Sequence, residues 1–141
     1  MKKILIAVDS GPTSEKVALT GFQLGLQLNA EIAIVSIVDT EGLMTEGGIT
    51  PRELADSIKN DCRRSQQMLI DKVFKDYKVW TFVEEGKPFE TILKVAEEWD
   101  ADLIVLGTHG RTGISHLLMG SVAEKVIRHS VIPSFIVPTK P

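Results

Sequence analysis

The stretch that decides the fold is LIVLGTHGRTGISHLLMGSVAEKVI, residues 103–127. An apolar run from Leu103 to Leu106 empties into a loop with glycines at 107, 110, 113 and 120, and a helical pattern restarts at Gly120-Ser121. A short, nearly unbroken apolar run reads as a strand buried on both faces of a parallel sheet. A buried strand followed by a glycine loop and a helix belongs to the α/β class, in which ligands gather at the carboxyl ends of strands.

The same alternation recurs on either side. Residues 3–8, KILIAV, form a first strand that ends at Asp9. Ser10-Gly11-Pro12-Thr13-Ser14 then offers capping residues and a first-turn proline to a helix in which Val17, Gly21, Leu24 and Leu28 share a face. Residues 31–38, EIAIVSIV, are a second buried strand, and 39–49, with glycines 42, 47 and 48, is the longest irregular stretch and the expected mobile loop. Thr50-Pro51-Arg52-Glu53 has a capping-box pattern and opens a helix over 51–76, with Leu54, Ile58, Cys62, Leu69 and Val73 in register. Residues 79–83 are a third strand. Lys87-Pro88 opens a short helix with Phe89, Leu93 and Ala96 on one face, 121–129 is the last helix, and 134–137 is a fifth strand.

This order predicts a three-layer α/β sandwich around a five-stranded, mainly parallel, doubly wound sheet with strand order 3-2-1-4-5. The chain of 141 residues has the size of one domain, 1–141, and can bury a core without staples. With a net charge of -3 it lacks the basic stripe that nucleic-acid binding requires, so no nucleic-acid partner is expected. No apolar run approaches the roughly 20 residues of a membrane span, and MKKILIAVD is too short for a signal-peptide core, so a cytoplasmic protein with no membrane partner is expected. Cys62, in helical register, reads as a small hydrophobe, and Trp80 and Trp99 read as packing residues.

In the predicted strand order the direction of winding reverses between strands one and four, which places Asp9 on one rim of the binding crevice and Gly107 on the other. The spacing Gly107, two residues, Gly110, nine residues, Gly120-Ser121 is neither the dinucleotide fingerprint nor the lysine-bearing phosphate loop. Its physics is related: glycines admit a close ligand and positive φ, and the helix start directs amides and a positive dipole end at it, as a phosphate chain requires. The same residues also suit a plain turn, with Ser121-x-x-Glu124 as a capping box.

Arg111 is the fixed positive charge between Gly107 and Gly120 and a candidate phosphate contact, while His109 and His116 are largely neutral at pH 7. A triphosphate held there needs amides, the helix end and a divalent cation. Two roles are open to Asp9: capping the first helix, or a hydrogen bond to a sugar or base or a water-mediated contact to a metal. His109, His116 and His129 do not form a metal-ligand set, and no hydroxyl is tied to a base as nucleophilic catalysis would need.

GTHGRTGISHLLMGS (107–121), followed by VAEKVIRHSVIPSFIVP, and the opening KKILIAVDSGPTSEKVA closely resemble the universal stress protein family, over essentially the full chain. The resemblance is to its ATP-binding branch, and it implies ATP held with Mg or Mn. Phosphate and ribose contacts then fall on Gly107, Gly110, Gly120, Ser121 and the amide of Val122, and adenine and ribose contacts on Ala7, Asp9 and the backbone of Ile37. It also implies a homodimer through the last strand, where Phe135 lies between Pro133 and Pro138. The expected activity is a nucleotide-dependent switch or binding module with at most slow ATP hydrolysis or autophosphorylation. The alternative is a nucleotide-free dimeric interaction protein of the same fold. A phospho-accepting receiver domain would need an acidic pair after strand one, where Asp9 is followed by Ser10. An adenylating enzyme would need a glycine-rich loop there, where Pro12 removes an amide donor.

Overall fold

A computed structural model describes residues 2–41, 43, 47–109 and 119–139. The strands are β1 (Lys3–Ala7), β2 (Glu31–Val38), β3 (Val79–Glu85), β4 (Leu103–Gly107) and β5 (Ser134–Val137), all parallel, in the order β3-β2-β1-β4-β5. The helices are α1 (Ser14–Leu28), α2 (Pro51–Leu69), α3 (Pro88–Glu98) and α4 (Ser121–His129). The apolar runs are buried because alternate side chains serve opposite layers. Ile4, Ile6, Ile32, Ile34 and Val105 pack with Val17 and Ala18 of α1 and Leu69 of α2. Leu5, Ala33, Val35, Ile104 and Leu106 pack with Ile92 and Val95 of α3 and Val126 of α4.

The glycine in the apolar register of α1 has a packing reason. A Cβ on Gly21 would stand 2.5 Å from Ile6 Cδ1, and one on Gly25 2.7 Å from Ile32 Cδ1. The helix therefore lies closer to the sheet than a larger side chain would permit, and this contact outweighs the roughly 1 kcal/mol by which glycine weakens a helix interior.

The two central strands are tied together at their starts by Asp102. Its Oδ2 accepts from the backbone N–H groups of Lys2 (2.9 Å) and Lys3 (3.0 Å), and its own N–H donates to the Lys3 carbonyl (2.8 Å). The two amides hold the carboxyl below its ordinary value of 3.8. A depressed folded-state pKa adds stability that is present above the ordinary value and disappears as pH falls through the folded one. Asp102→Asn is accordingly expected to be less stable than wild type at neutral pH, with the difference closing below about pH 3. Urea denaturation of both proteins across pH 2–7 measures this, and a gap independent of pH would contradict it.

Several boundaries differ from the sequence expectation for physical reasons. The first strand ends at Ala7, although the Val8 N–H still reaches the Val35 carbonyl (3.0 Å). The first helix starts at Ser14, leaving Pro12 in the preceding turn, and its N-cap Thr13 makes no side-chain capping bond. The third strand runs on to Glu85, whose backbone pairs opposite Val38, because hydrogen bonding along β2 continues after the apolar pattern of β3 stops. Of the helix expected over 51–76, the Thr50 N-cap is present, with the Glu53 N–H donating to Thr50 Oγ1 (3.0 Å), but the α-helix gives way at Ile70 to a π-helical turn over Ile70–Phe74 that buries Val73 and Phe74. Lys75, at φ 52°, ends it. In the expected mobile loop, residues 42 and 44–46 lie outside the described residues. Among the described residues no helix is long and apolar enough to cross a membrane.

Candidate functional site

Chain reversal sends β1 up to α1 on one face of the sheet and β4 to α4 on the other, which leaves a gap above their carboxyl ends. A cleft of 590 Å³ opens there. That lies inside the range of roughly 300–1,000 Å³ typical of small-molecule sites. Ala7 and Asp9 line it from the end of β1, and Val35, Ile37 and Asp39 from β2. Gly107 closes it from β4, and Gly120, Ser121 and Val122 from the start of α4. The topology thus gathers the sequence candidates from three strand ends and one helix end. Gly110, Arg111 and His116 lie outside the described residues.

Asp9 does not cap α1. Its Oδ1 accepts from the Gly11 N–H (2.8 Å), closing an Asx turn, and lies 2.9 Å from the Ser14 hydroxyl. That hydroxyl in turn accepts from the Asp9 N–H (3.0 Å) and also lies 2.6 Å from the Asp9 carbonyl oxygen. Ser14, the first residue of α1 and itself buried, is thereby turned back onto the strand end and fixes the carboxylate at the cleft wall.

At Gly107 and Gly120 the missing side chain permits close approach of neighbouring groups. Positive φ among the described glycines occurs at Gly47, Gly48 and Gly86, away from this loop. A Cβ on Gly107 would stand 3.0 Å from Val17 Cγ2 and 3.1 Å from Thr139 Cγ2. One on Gly120 would stand 3.0 Å from the Thr108 carbonyl oxygen, the atom that accepts the Gly120 N–H. Of the two readings of Ser121, the capping box is not formed: Gly120 is the N-cap (φ -73°, ψ 163°) and Ser121 is the first helical residue. A glycine cap offers no side-chain oxygen of its own to the first-turn amides, which carry the positive end of the helix dipole toward the cleft.

Several lining residues had no sequence assignment to the site. Asp39 follows β2 as Asp9 follows β1, and that parallel position was a usable signal. Val35 and Ile92 are buried core residues that also reach the cleft, while Thr108 and His109 line it beside Gly107. His109, read as a loop residue, is 7% exposed. Among the described lining residues there are two carboxylates, Asp9 and Asp39, and no Lys or Arg. Among the described residues no group of three or more His, Cys, Asp or Glu is placed to hold a metal ion. A cation carried by the phosphates themselves, with one or two carboxylates and water, is compatible with that donor set. His129 sits in the last turn of α4, its ring 5.5 Å from that of Phe89 and far from any ligand set.

A model of the universal stress protein family matches residues 1–138. The chain belongs to the universal stress protein family. It is 33% identical to universal stress protein MJ0531 of Methanocaldococcus jannaschii, over 96% of this chain and 81% of that one. It is also similar to the solved structure of protein MJ0577 of the same organism, with 28% identity, a TM-score of 0.81, and coverage of 99% of this chain and 97% of that one. A universal stress protein crystallised in complex with cAMP shares the fold, with a TM-score of 0.72 at 19% identity over 96% of both chains. This universal stress protein places Gly107, Gly120 and the start of α4 around the same cleft as Asp9 and Asp39.

Proposed function

We propose that this universal stress protein binds ATP in the cleft between β1 and β4 and acts as a nucleotide-dependent switch or binding module. The observation that carries the reading is the helix start: Gly120, Ser121 and Val122 line the same cleft as the residues at the ends of β1 and β2, and the N-cap residue itself brings no side-chain oxygen to the first-turn amides. Phosphates belong at that end, on the amides of Ser121 and Val122 and along the backbone of Gly107, Gly110 and Gly120, with Arg111 as a further phosphate contact. The sugar and base belong at the opposite wall, where Ala7, Val35, Ile37 and Ile92 supply apolar surface and Asp9 a fixed acceptor. That a protein of the same fold has been crystallised with cAMP supports an adenine nucleotide as the ligand class. Mg or Mn would arrive with the triphosphate. Hydrolysis would be slow, since no described residue in the cleft offers a transition-state cation.

Thermal denaturation tests this reading. ATP with Mg at a hundred times its dissociation constant should stabilise the protein by about 2.7 kcal/mol. An unchanged midpoint at millimolar ATP would favour the nucleotide-free interaction protein.

The sheet edge supports a homodimer. Phe135 on β5 is 40% exposed, with Val131 at 99% and Ile127 at 46% nearby in the chain. Unpaired strand edges carrying apolar side chains are ordinarily covered, and a second β5 is the complementary surface. Phe135→Lys is expected to shift the protein to monomer in sedimentation at micromolar concentration, and a variant that stays dimeric would place the interface elsewhere.

A further inference from the structure

Beyond the last β4–β5 backbone pair, Gly107 opposite Val137, two threonines continue the ladder with their side chains. The Thr108 hydroxyl accepts from the Thr139 N–H (2.9 Å) and donates to the Thr139 carbonyl (3.1 Å). The Thr139 hydroxyl accepts from the His109 N–H (3.0 Å) and donates to the His109 carbonyl (3.1 Å). Each hydroxyl therefore takes both backbone groups of one residue across the gap, as a neighbouring strand would. His109 Nδ1 lies 2.9 Å from the Thr139 carbonyl, which only accepts, so this nitrogen is assigned the proton. Thr139 is 4% exposed, and its methyl, with Val17 Cγ2, is one of the two groups that a Cβ on Gly107 would crowd.

These contacts lead to the phosphate end of the cleft. The Thr108–His109 segment that Thr139 grips carries the carbonyl, on Thr108, that accepts the N–H of Gly120, the N-cap of α4. The path is short and wholly hydrogen-bonded: Thr139 to Thr108–His109, then to Gly120. Thr139 does not line the cleft.

We propose that Thr139 is a positioning residue for the anion-binding end of the cleft, holding the start of α4 in place through the Thr108–His109 segment. The proposal rests on the nucleotide reading for its effect on affinity, but its structural part is independent of any ligand. Buried backbone groups of His109 lose their partner if the hydroxyl is removed, and the segment then has reason to move toward water.

The test compares Thr139→Val, which keeps the shape and removes the hydroxyl, with Thr139→Ser, which keeps the hydroxyl and removes the methyl. Amide hydrogen exchange in the ligand-free protein is expected to speed up at least tenfold at Gly120 in Thr139→Val while the amides of β1 keep their wild-type rates. ATP affinity is expected to fall about tenfold and adenosine affinity to stay unchanged, because only the phosphate end is displaced. Thr139→Ser should behave as wild type in all three measurements. Wild-type Gly120 protection in Thr139→Val would overturn the proposal, as would loss of that protection in Thr139→Ser, which would assign Thr139 to packing alone. If the wild-type protein bound no ATP the nucleotide reading would fail, and the exchange rates would still decide the role of Thr139.

Discussion

Gly120→Val is expected to abolish measurable ATP binding, a loss of at least a hundredfold, and to cost about 1–3 kcal/mol of stability. Both effects have the same origin. The new Cβ would stand 3.0 Å from the Thr108 carbonyl oxygen and 3.6 Å from His109 Cα, and these are backbone atoms that cannot rotate away. Relief requires the Thr108–His109 segment and the start of α4 to separate, which breaks the Gly120 N–H bond to Thr108 and carries the first-turn amides away from the phosphates. The backbone conformation of Gly120 suits any residue, so φ strain contributes nothing. Gly120→Ala should show the same pattern in milder form. Calorimetric titration with urea denaturation of the same samples checks the pair of effects. A valine variant with wild-type ATP affinity would remove this helix end from the site.

The second large effect concerns the divalent cation. Removing it with chelator is expected to weaken ATP binding at least tenfold, about 1.4 kcal/mol. The described cleft wall carries Asp9 and Asp39 and no Lys or Arg, so a triphosphate meets two like charges with only amides, a helix end and Arg111 to offset them. Adenosine carries no phosphate, and its affinity should be indifferent to metal. Titrations of both ligands with and without Mg separate the contributions. Equal ATP affinity in chelator would show that the amides and Arg111 suffice.

The fold was legible because its central strands are buried on both faces and therefore read as unbroken apolar runs, and because the helices between them keep apolar residues at helical spacing. The observed strand order is the doubly wound one that right-handed crossovers allow. Less legible were features decided by partners distant in sequence. β3 outlasts its apolar pattern because β2 still offers hydrogen bonds opposite Glu84 and Glu85. Ser121 looked like a helix cap because Glu124 stands three residues on, yet the approach of the Thr108 carbonyl selects Gly120 for that place. Of the two roles open to Asp9, capping of α1 is not the one formed, because the Gly11 and Ser14 contacts draw the turn back over the strand end.

The site shows the same division. Ala7, Asp9, Ile37, Gly107, Gly120, Ser121 and Val122 line one cleft because three strand ends and the start of α4 border it. Thr139 carried no such signal: its role depends on two hydroxyls meeting beyond the β4–β5 ladder, 31 residues apart. Asp39 could have been found from its place after β2, since every strand end beside the reversal of direction borders the same crevice.

The central claim is tested most directly by calorimetric titration of ATP with Mg into protein stripped of any bound nucleotide. One site per chain with a micromolar dissociation constant, about 8 kcal/mol, is the predicted result. Absence of heat at protein concentrations of a hundred micromolar, together with no displacement of a fluorescent adenine nucleotide by ATP, would contradict it.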